Sequence, residues 1–224
     1  MLVRTPDWQQ RVRETLENHA VADGTSPIRH TRQVTSYGGS GTTALCRHFA
    51  NAGLDMPGSP DHWPWKHTRT PPAAHDVPDD FRVVYVYADP REAVLSLFRR
   101  GLQVGAYRVF HLERPSESVE RRLETLDRYL DAGVDDFGLL GHLENWLHHP
   151  SGYPVLFLDF DALPDAWPVV RDFVGLPEEY PCLDVRPRRS PLAQLEPSRA
   201  ARLTAMYQPL LDIIDALPRV HLVP

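Results

Sequence analysis

Val34-Thr35-Ser36-Tyr37-Gly38-Gly39-Ser40-Gly41-Thr42-Thr43-Ala44-Leu45 is the stretch that decides the fold. A β-favouring approach enters three glycines interleaved with hydroxyl residues, and an apolar helical pattern follows at once. Glycines let the backbone turn tightly and bring several N–H groups close to a ligand. A helix starting near Thr42 adds unpaired N–H donors and a partial positive charge at its N-terminus. Strand, glycine loop and helix together form an anion cradle, most often for phosphate; the plainer alternative is an ordinary strand-to-helix turn. The spacing predicts a strand over residues 33–37 and a helix over 43–52, with Leu45 and Phe49 one turn apart and Gly53 as its cap.

Outward from this loop, Arg82-Val83-Val84-Tyr85-Val86-Tyr87 is apolar without strict alternation, the pattern of a central strand buried on both faces. Ala88-Asp89-Pro90 ends it, and a helix is expected over residues 91–100. A third strand is expected over 153–159. Thr5-Pro6-Asp7 starts a helix reaching about residue 22, and further helices are expected over 118–132, 136–149 and 168–174. A C-terminal helix over 197–217 should kink or break at Pro209. Residues 54–80 read as a long functional-looking loop or a set of short pieces, and residues 102–114 are undecided between states. Strands alternating with helices predict one α/β domain over residues 1–224: a three-layer sandwich with a central, mainly parallel sheet and a P-loop-like strand-loop-helix.

Composition narrows the function. The chain has 224 residues, 42% hydrophobic and 24% charged, which suits a soluble globular domain. No apolar run approaches a membrane span, and the N-terminus lacks a signal-peptide pattern. Cys46 and Cys182 lie far apart without metal-ligand spacing, so a cytoplasmic protein with reduced thiols is expected. A net charge of −6 argues against nucleic-acid binding, so an anionic ligand must be held by local cations.

Three segments resemble the sulfotransferase family, which uses 3′-phosphoadenosine 5′-phosphosulfate (PAPS). Tyr37-Gly38-Gly39-Ser40-Gly41-Thr42-Thr43 is similar to that family's 5′-phosphosulfate loop, Y-P-K-S-G-T-T. Val86-Tyr87-Ala88-Asp89-Pro90-Arg91-Glu92-Ala93-Val94-Leu95-Ser96 resembles its strand, R-N-P turn and helix ending in serine. The third runs from a Trp-bearing helix through Pro154-Val155-Leu156-Phe157-Leu158 to Phe173-Val174-Gly175-Leu176-Pro177, and resembles a segment ending in F-L-G-L-P. The chain departs from the family at Gly39, where the loop carries Lys or Arg, and at Ala88, where an arginine grips the 3′-phosphate. The family's C-terminal R-K-G element is missing, with only Arg186-Pro187-Arg188-Arg189 in its place.

The resemblance implies sulfuryl transfer from PAPS, as co-substrate, to a hydroxyl of a small acceptor, with no metal expected. Gly38, Gly39, Ser40, Gly41, Thr42 and Thr43 would hold the phosphosulfate through backbone N–H groups and hydroxyls, though the hydroxyls would equally serve as helix caps. The family's K-T-H segment is approximated by Lys66-His67-Thr68. It makes His67 the general base, histidine being the residue type that exchanges a proton near neutral pH, and Lys66 the cation at the bridging oxygen. Arg91 and Ser96 are the local candidates for a second phosphate, since a guanidinium binds phosphate bidentately; Arg91 reads equally as a surface ion-pair residue. Arg188 and Arg189 read as solvated. Asp159 and Asp161 are placed where a Mg²⁺ acid would sit but read as structural, and Trp63, Trp65 and Tyr107 read as either acceptor pocket or core. Two alternatives stay open: a P-loop enzyme of another kind, although no Lys follows Gly41, and a catalytically altered relative that binds a nucleotide or other anion without PAPS chemistry.

Overall fold

The computed structural model describes residues 28–56, 63–111, 113–148, 152–185 and 191–224, with the side chains of Trp63 and Pro64 excepted. The helix expected over residues 5–22 and the pair Arg188 and Arg189 lie outside them. Strands β1 (Arg32–Thr35), β2 (Arg82–Tyr87) and β3 (Val155–Asp159) run parallel, and β4 (Val220–Val223) lies antiparallel on β3, giving the order β1-β2-β3-β4. β2 is central, with Val84 opposite Val34 on one side and Leu156 on the other. The unbroken apolar run of its sequence follows from that position, since both its faces are covered.

Alternation along the strands sorts the core into two layers. Val83, Tyr85, Tyr87, Val155 and Phe157 belong to one. Helices α3 (Pro90–Arg100), α4 (Gln103–His111), α6 (Leu126–Ala132), α7 (Leu139–His148) and α9 (Pro197–Ala216) cover that layer. Val34, Val84, Val86, Leu156 and Leu158 belong to the other, under α1 (Thr42–Asn51) and α8 (Leu163–Val174). The fold is therefore α/β around a mostly parallel four-stranded sheet. No helix among the described residues is long and apolar enough to cross a membrane.

Several boundaries differ from the sequence reading. Residues 118–132 form two helices, α5 (Glu117–Leu123) and α6, because Thr125 adopts an extended conformation and its hydroxyl accepts from Arg128 N at 3.3 Å. That contact starts a new helix. α8 begins at Leu163 rather than 168, since Pro164 stands in its first turn and the exposed Pro168 removes one bond on the solvent side. α9 is not broken at Pro209, which is exposed between the buried Tyr207 and Leu210. The undecided residues 102–114 contain α4, and residues 54–80 hold short pieces, among them the one-turn helix α2 (Trp63–Lys66). β4 went unread because four residues of edge strand carry almost no periodic signal.

Candidate active site

The glycine loop leaves β1 and enters α1 through residues 36–41. Gly38, Gly39 and Gly41 have φ of +88°, +70° and +87°. L side chains pay a steric penalty in this left-handed region. All three also lie against other elements, Gly38 against Phe110, whose Cζ is 3.0 Å from where a Cβ would stand, and the other two more closely. A Cβ on Gly39 would stand 2.6 Å from Ala93 Cα and Cβ, and one on Gly41 would stand 2.3 Å from the Phe160 ring. The lysine or arginine that the resemblance places at Gly39 is thus excluded here by the close approach of α3.

Hydroxyl groups lock the loop from within. Ser36 Oγ lies 2.6 Å from Thr42 Oγ1 and accepts from Gly38 N at 2.9 Å, tying the loop's two ends together. Ser40 Oγ is buried and donates to Gly38 O at 3.0 Å. Tyr37, wholly buried, donates its hydroxyl to Ala88 O and accepts from Ala88 N at 3.1 Å, which fastens the loop to the end of β2. Burial pushes the Tyr37 phenol far above its ordinary pKa, so it stays neutral. The hydroxyls of Ser40 and Thr42, expected to face an anion, are therefore engaged in loop structure, and Ser40 is not part of the cavity lining. Thr43 is exposed and does line it. No side chain caps α1; within its first turn Ala44 N donates to Gly41 O at 2.9 Å.

A cavity of about 550 Å³ opens over this loop, where β1 and β2 run out. It brings together Gly38, Gly39, Gly41, Thr42 and Thr43 with Lys66, His67 and Ser96. Lys66 is 4% exposed and its Nζ donates to Thr43 Oγ1 at 3.4 Å. His67 Nδ1 lies 2.9 Å from Ser36 O. A carbonyl only accepts, so Nδ1 carries the hydrogen and the lone pair of the neutral ring is on Nε2. The ring stands edge-on to Phe110, with centroids 5.5 Å apart, and Cε1 would lie 3.6 Å from a Cβ on Gly38.

Arg91 is not brought to this cavity. Its Nε and Nη2 donate to Asp89 at 3.0 and 2.6 Å, and Nη1 donates to Thr204 at 3.2 Å. Arg91 and Ser96, five residues apart on one helix, point about 140° apart. Arg99 and Arg100, three and four residues beyond Ser96, share its face and line the cavity, as does Arg47 one turn after Thr43. These three arginines were missed in the sequence, where helical spacing from Thr43 and Ser96 was the signal for them. Glu92 is the acidic group among them, and its Oε1 accepts from Leu192 N at 3.2 Å.

The other candidates have structural partners. Asp159 Oδ1 accepts from Asp161 N at 3.0 Å and Oδ2 pairs with Arg219 at 2.8 Å, joining the ends of β3 and β4. Tyr107 stacks on His111 at 4.2 Å and donates to Glu113 at 3.2 Å, while Trp65 packs against the core. Comparisons with protein-family models, curated proteins and solved structures give no match to this chain.

Proposed function

We propose that this chain is a sulfotransferase that moves a sulfuryl group from PAPS to a hydroxyl of a small acceptor. Its loop between β1 and α1 is read as P-loop-like. The observation that carries the proposal is the meeting of three things in one cavity: an uncapped helix start behind a glycine loop, the buried cation of Lys66, and a His67 ring turned by Ser36. Four cationic side chains around that cavity, in a chain of net charge −6, concentrate positive potential where a polyanion would sit.

In this reading the first-turn N–H groups of α1 and the Thr43 hydroxyl hold the phosphosulfate. Ser96 with Arg99 and Arg100 takes the 3′-phosphate, a role that Arg91, bound to Asp89, does not fill. His67 Nε2 accepts the proton of the acceptor hydroxyl as its oxygen bonds to sulfur. Lys66 offsets the charge that grows on the bridging oxygen as the S–O bond breaks and 3′,5′-ADP leaves. Lys66 thereby supplies from the 63–66 turn the cation that Gly39 lacks. Placement and charge stabilisation are the two demands of such a transfer.

Thermal shift tests it. At 100 times Kd a ligand bound only by the folded state adds about 2.7 kcal/mol, or roughly 5–11 °C for a chain of this size. 3′,5′-ADP should give such a shift and ATP with Mg²⁺ a smaller one; the opposite order refutes the proposal. Transfer of labelled sulfate from PAPS to a panel of phenols and alcohols should then be abolished in His67→Ala, with 3′,5′-ADP affinity kept within about threefold. If the substitution destroys binding instead, His67 is not the base. Tight 3′,5′-ADP binding without transfer to any acceptor would identify an anion-binding relative that has lost the chemistry.

A further inference from the structure

Gln33 lies within β1, 1% exposed, where a strand covered on both faces ordinarily carries an apolar side chain. Its carboxamide nitrogen reaches out of the sheet to the segment that follows the 63–66 turn. Nε2 donates to Trp65 O at 2.9 Å and to Thr68 Oγ1 at 3.1 Å, and Thr68 Oγ1 donates on to Trp65 O at 3.2 Å. The two acceptors flank Lys66 and His67 in the chain, one on each side. Between them, Lys66 O accepts from Ser36 N at 2.9 Å and His67 Nδ1 donates to Ser36 O at 2.9 Å. From beyond, Trp146 Nε1 donates to Thr68 O at 2.7 Å. β1 and the first residue of the loop after it thus grip four consecutive residues, through the side chain of Gln33 and the backbone of Ser36.

We propose that Gln33 is a positioning residue: its carboxamide sets the Trp65–Thr68 span against β1 so that the His67 ring meets Ser36 O through Nδ1, leaving Nε2 as the base nitrogen. A histidine's tautomer is set by the bond its other nitrogen makes. Here that bond needs the His67 backbone to stand at a fixed distance from β1, which the Lys66–Ser36 backbone bond alone does not fix in rotation. Gln33 supplies the second and third attachment points. The same grip holds Lys66 beside Thr43. The catalytic consequence rests on the sulfotransferase reading; the placement of the ring does not.

The test is histidine-selective ¹⁵N NMR on the full chain at pH 8, where two-bond ¹H–¹⁵N correlations distinguish the neutral tautomers. His67 is assigned by its loss in His67→Gln. Wild type should show His67 as the Nδ1–H form alone, and Gln33→Met should mix in the Nε2–H form. The same variant should keep 3′,5′-ADP affinity within about threefold and lower turnover about 10- to 100-fold, the penalty of a small misplacement. Thr68→Val, which deletes only the hydroxyl between Gln33 and Trp65, should move the tautomer in the same direction, and it carries the test if near-UV circular dichroism shows Gln33→Met unfolded. A His67 ring that stays wholly Nδ1–H in the folded variants overturns the proposal, as does a wild-type ring in the Nε2–H form. If wild type neither binds 3′,5′-ADP nor transfers sulfate, the functional reading falls, while the tautomer result still decides the role of Gln33.

Discussion

Restoring a side chain at Gly39 separates two ways of reading the loop. The motif resemblance suggests that a lysine there would complete the anion site. The structure says that any Cβ there collides with α3. At φ +70° an L residue is strained by about 1–2 kcal/mol. A Cβ 2.6 Å from Ala93 Cα and Cβ must also push helix backbone away, and overpacking of this kind costs about 1–3 kcal/mol. Gly39→Ala should therefore lose about 2–5 kcal/mol. Gly101, at φ +65° with nothing within 4 Å of where a Cβ would stand, is the internal control. Gly101→Ala has the same strain without the collision, and both substitutions restrict the unfolded chain alike, so that contribution cancels in the comparison. Urea denaturation should place Gly39→Ala about 1–3 kcal/mol below Gly101→Ala, and Gly39→Lys no higher than Gly39→Ala. Equal stabilities for the two alanine variants, or tighter 3′,5′-ADP binding by Gly39→Lys, would refute the packing argument.

Two further outcomes follow from the site and the core. Arg91→Met should leave 3′,5′-ADP affinity within about twofold and change stability by no more than about 1 kcal/mol, the worth of a half-exposed ion pair. Removing both Arg99 and Arg100 should weaken that affinity at least 10-fold by calorimetry, since each charged hydrogen bond is worth about 1.5–3 kcal/mol. An Arg91 variant that binds worse than the double variant would reverse the assignment. Stability should also fall on mild acidification. Burial, countered in part by Asp55, lowers the pKa of His30 from 6.5 to about 4, and burial reinforced by His67 lowers that of His142 to about 3. Both are held neutral, so their contribution is whole above pH 6.5 and lost as the pH falls toward those values. Each loses about 1.4 kcal/mol per pH unit in that window, or about 3 kcal/mol together between pH 7.5 and pH 5.5. Denaturation of His142→Gln at the two pH values should show roughly half that loss; an unchanged loss would mean that His142 is not buried neutral.

Local sequence determined a good deal. The apolar run of residues 82–87 marked the central strand, because only a strand covered on both faces omits polar alternation. Gly38, Gly39 and Gly41 marked the loop, because their backbone angles are ones other residues avoid. Ser96, Lys66 and His67 were legible as members of one site through motif order. Other features needed the folded chain. Helical phase, not proximity in sequence, turned Arg91 toward Asp89 and Thr204 and left Arg99 and Arg100 on the cavity. The hydroxyls of Ser40 and Thr42 were drawn into the loop by Gly38 and Ser36, a choice that depends on the loop's closed geometry. β4 became a strand only by pairing with β3, since its four residues have no stability of their own as an extended segment. The glycine at residue 39 shows the division most sharply. Its backbone angle is a local matter, but the reason no cation can stand there is Ala93, fifty-four positions away, and that contact exists only once α3 packs against the loop.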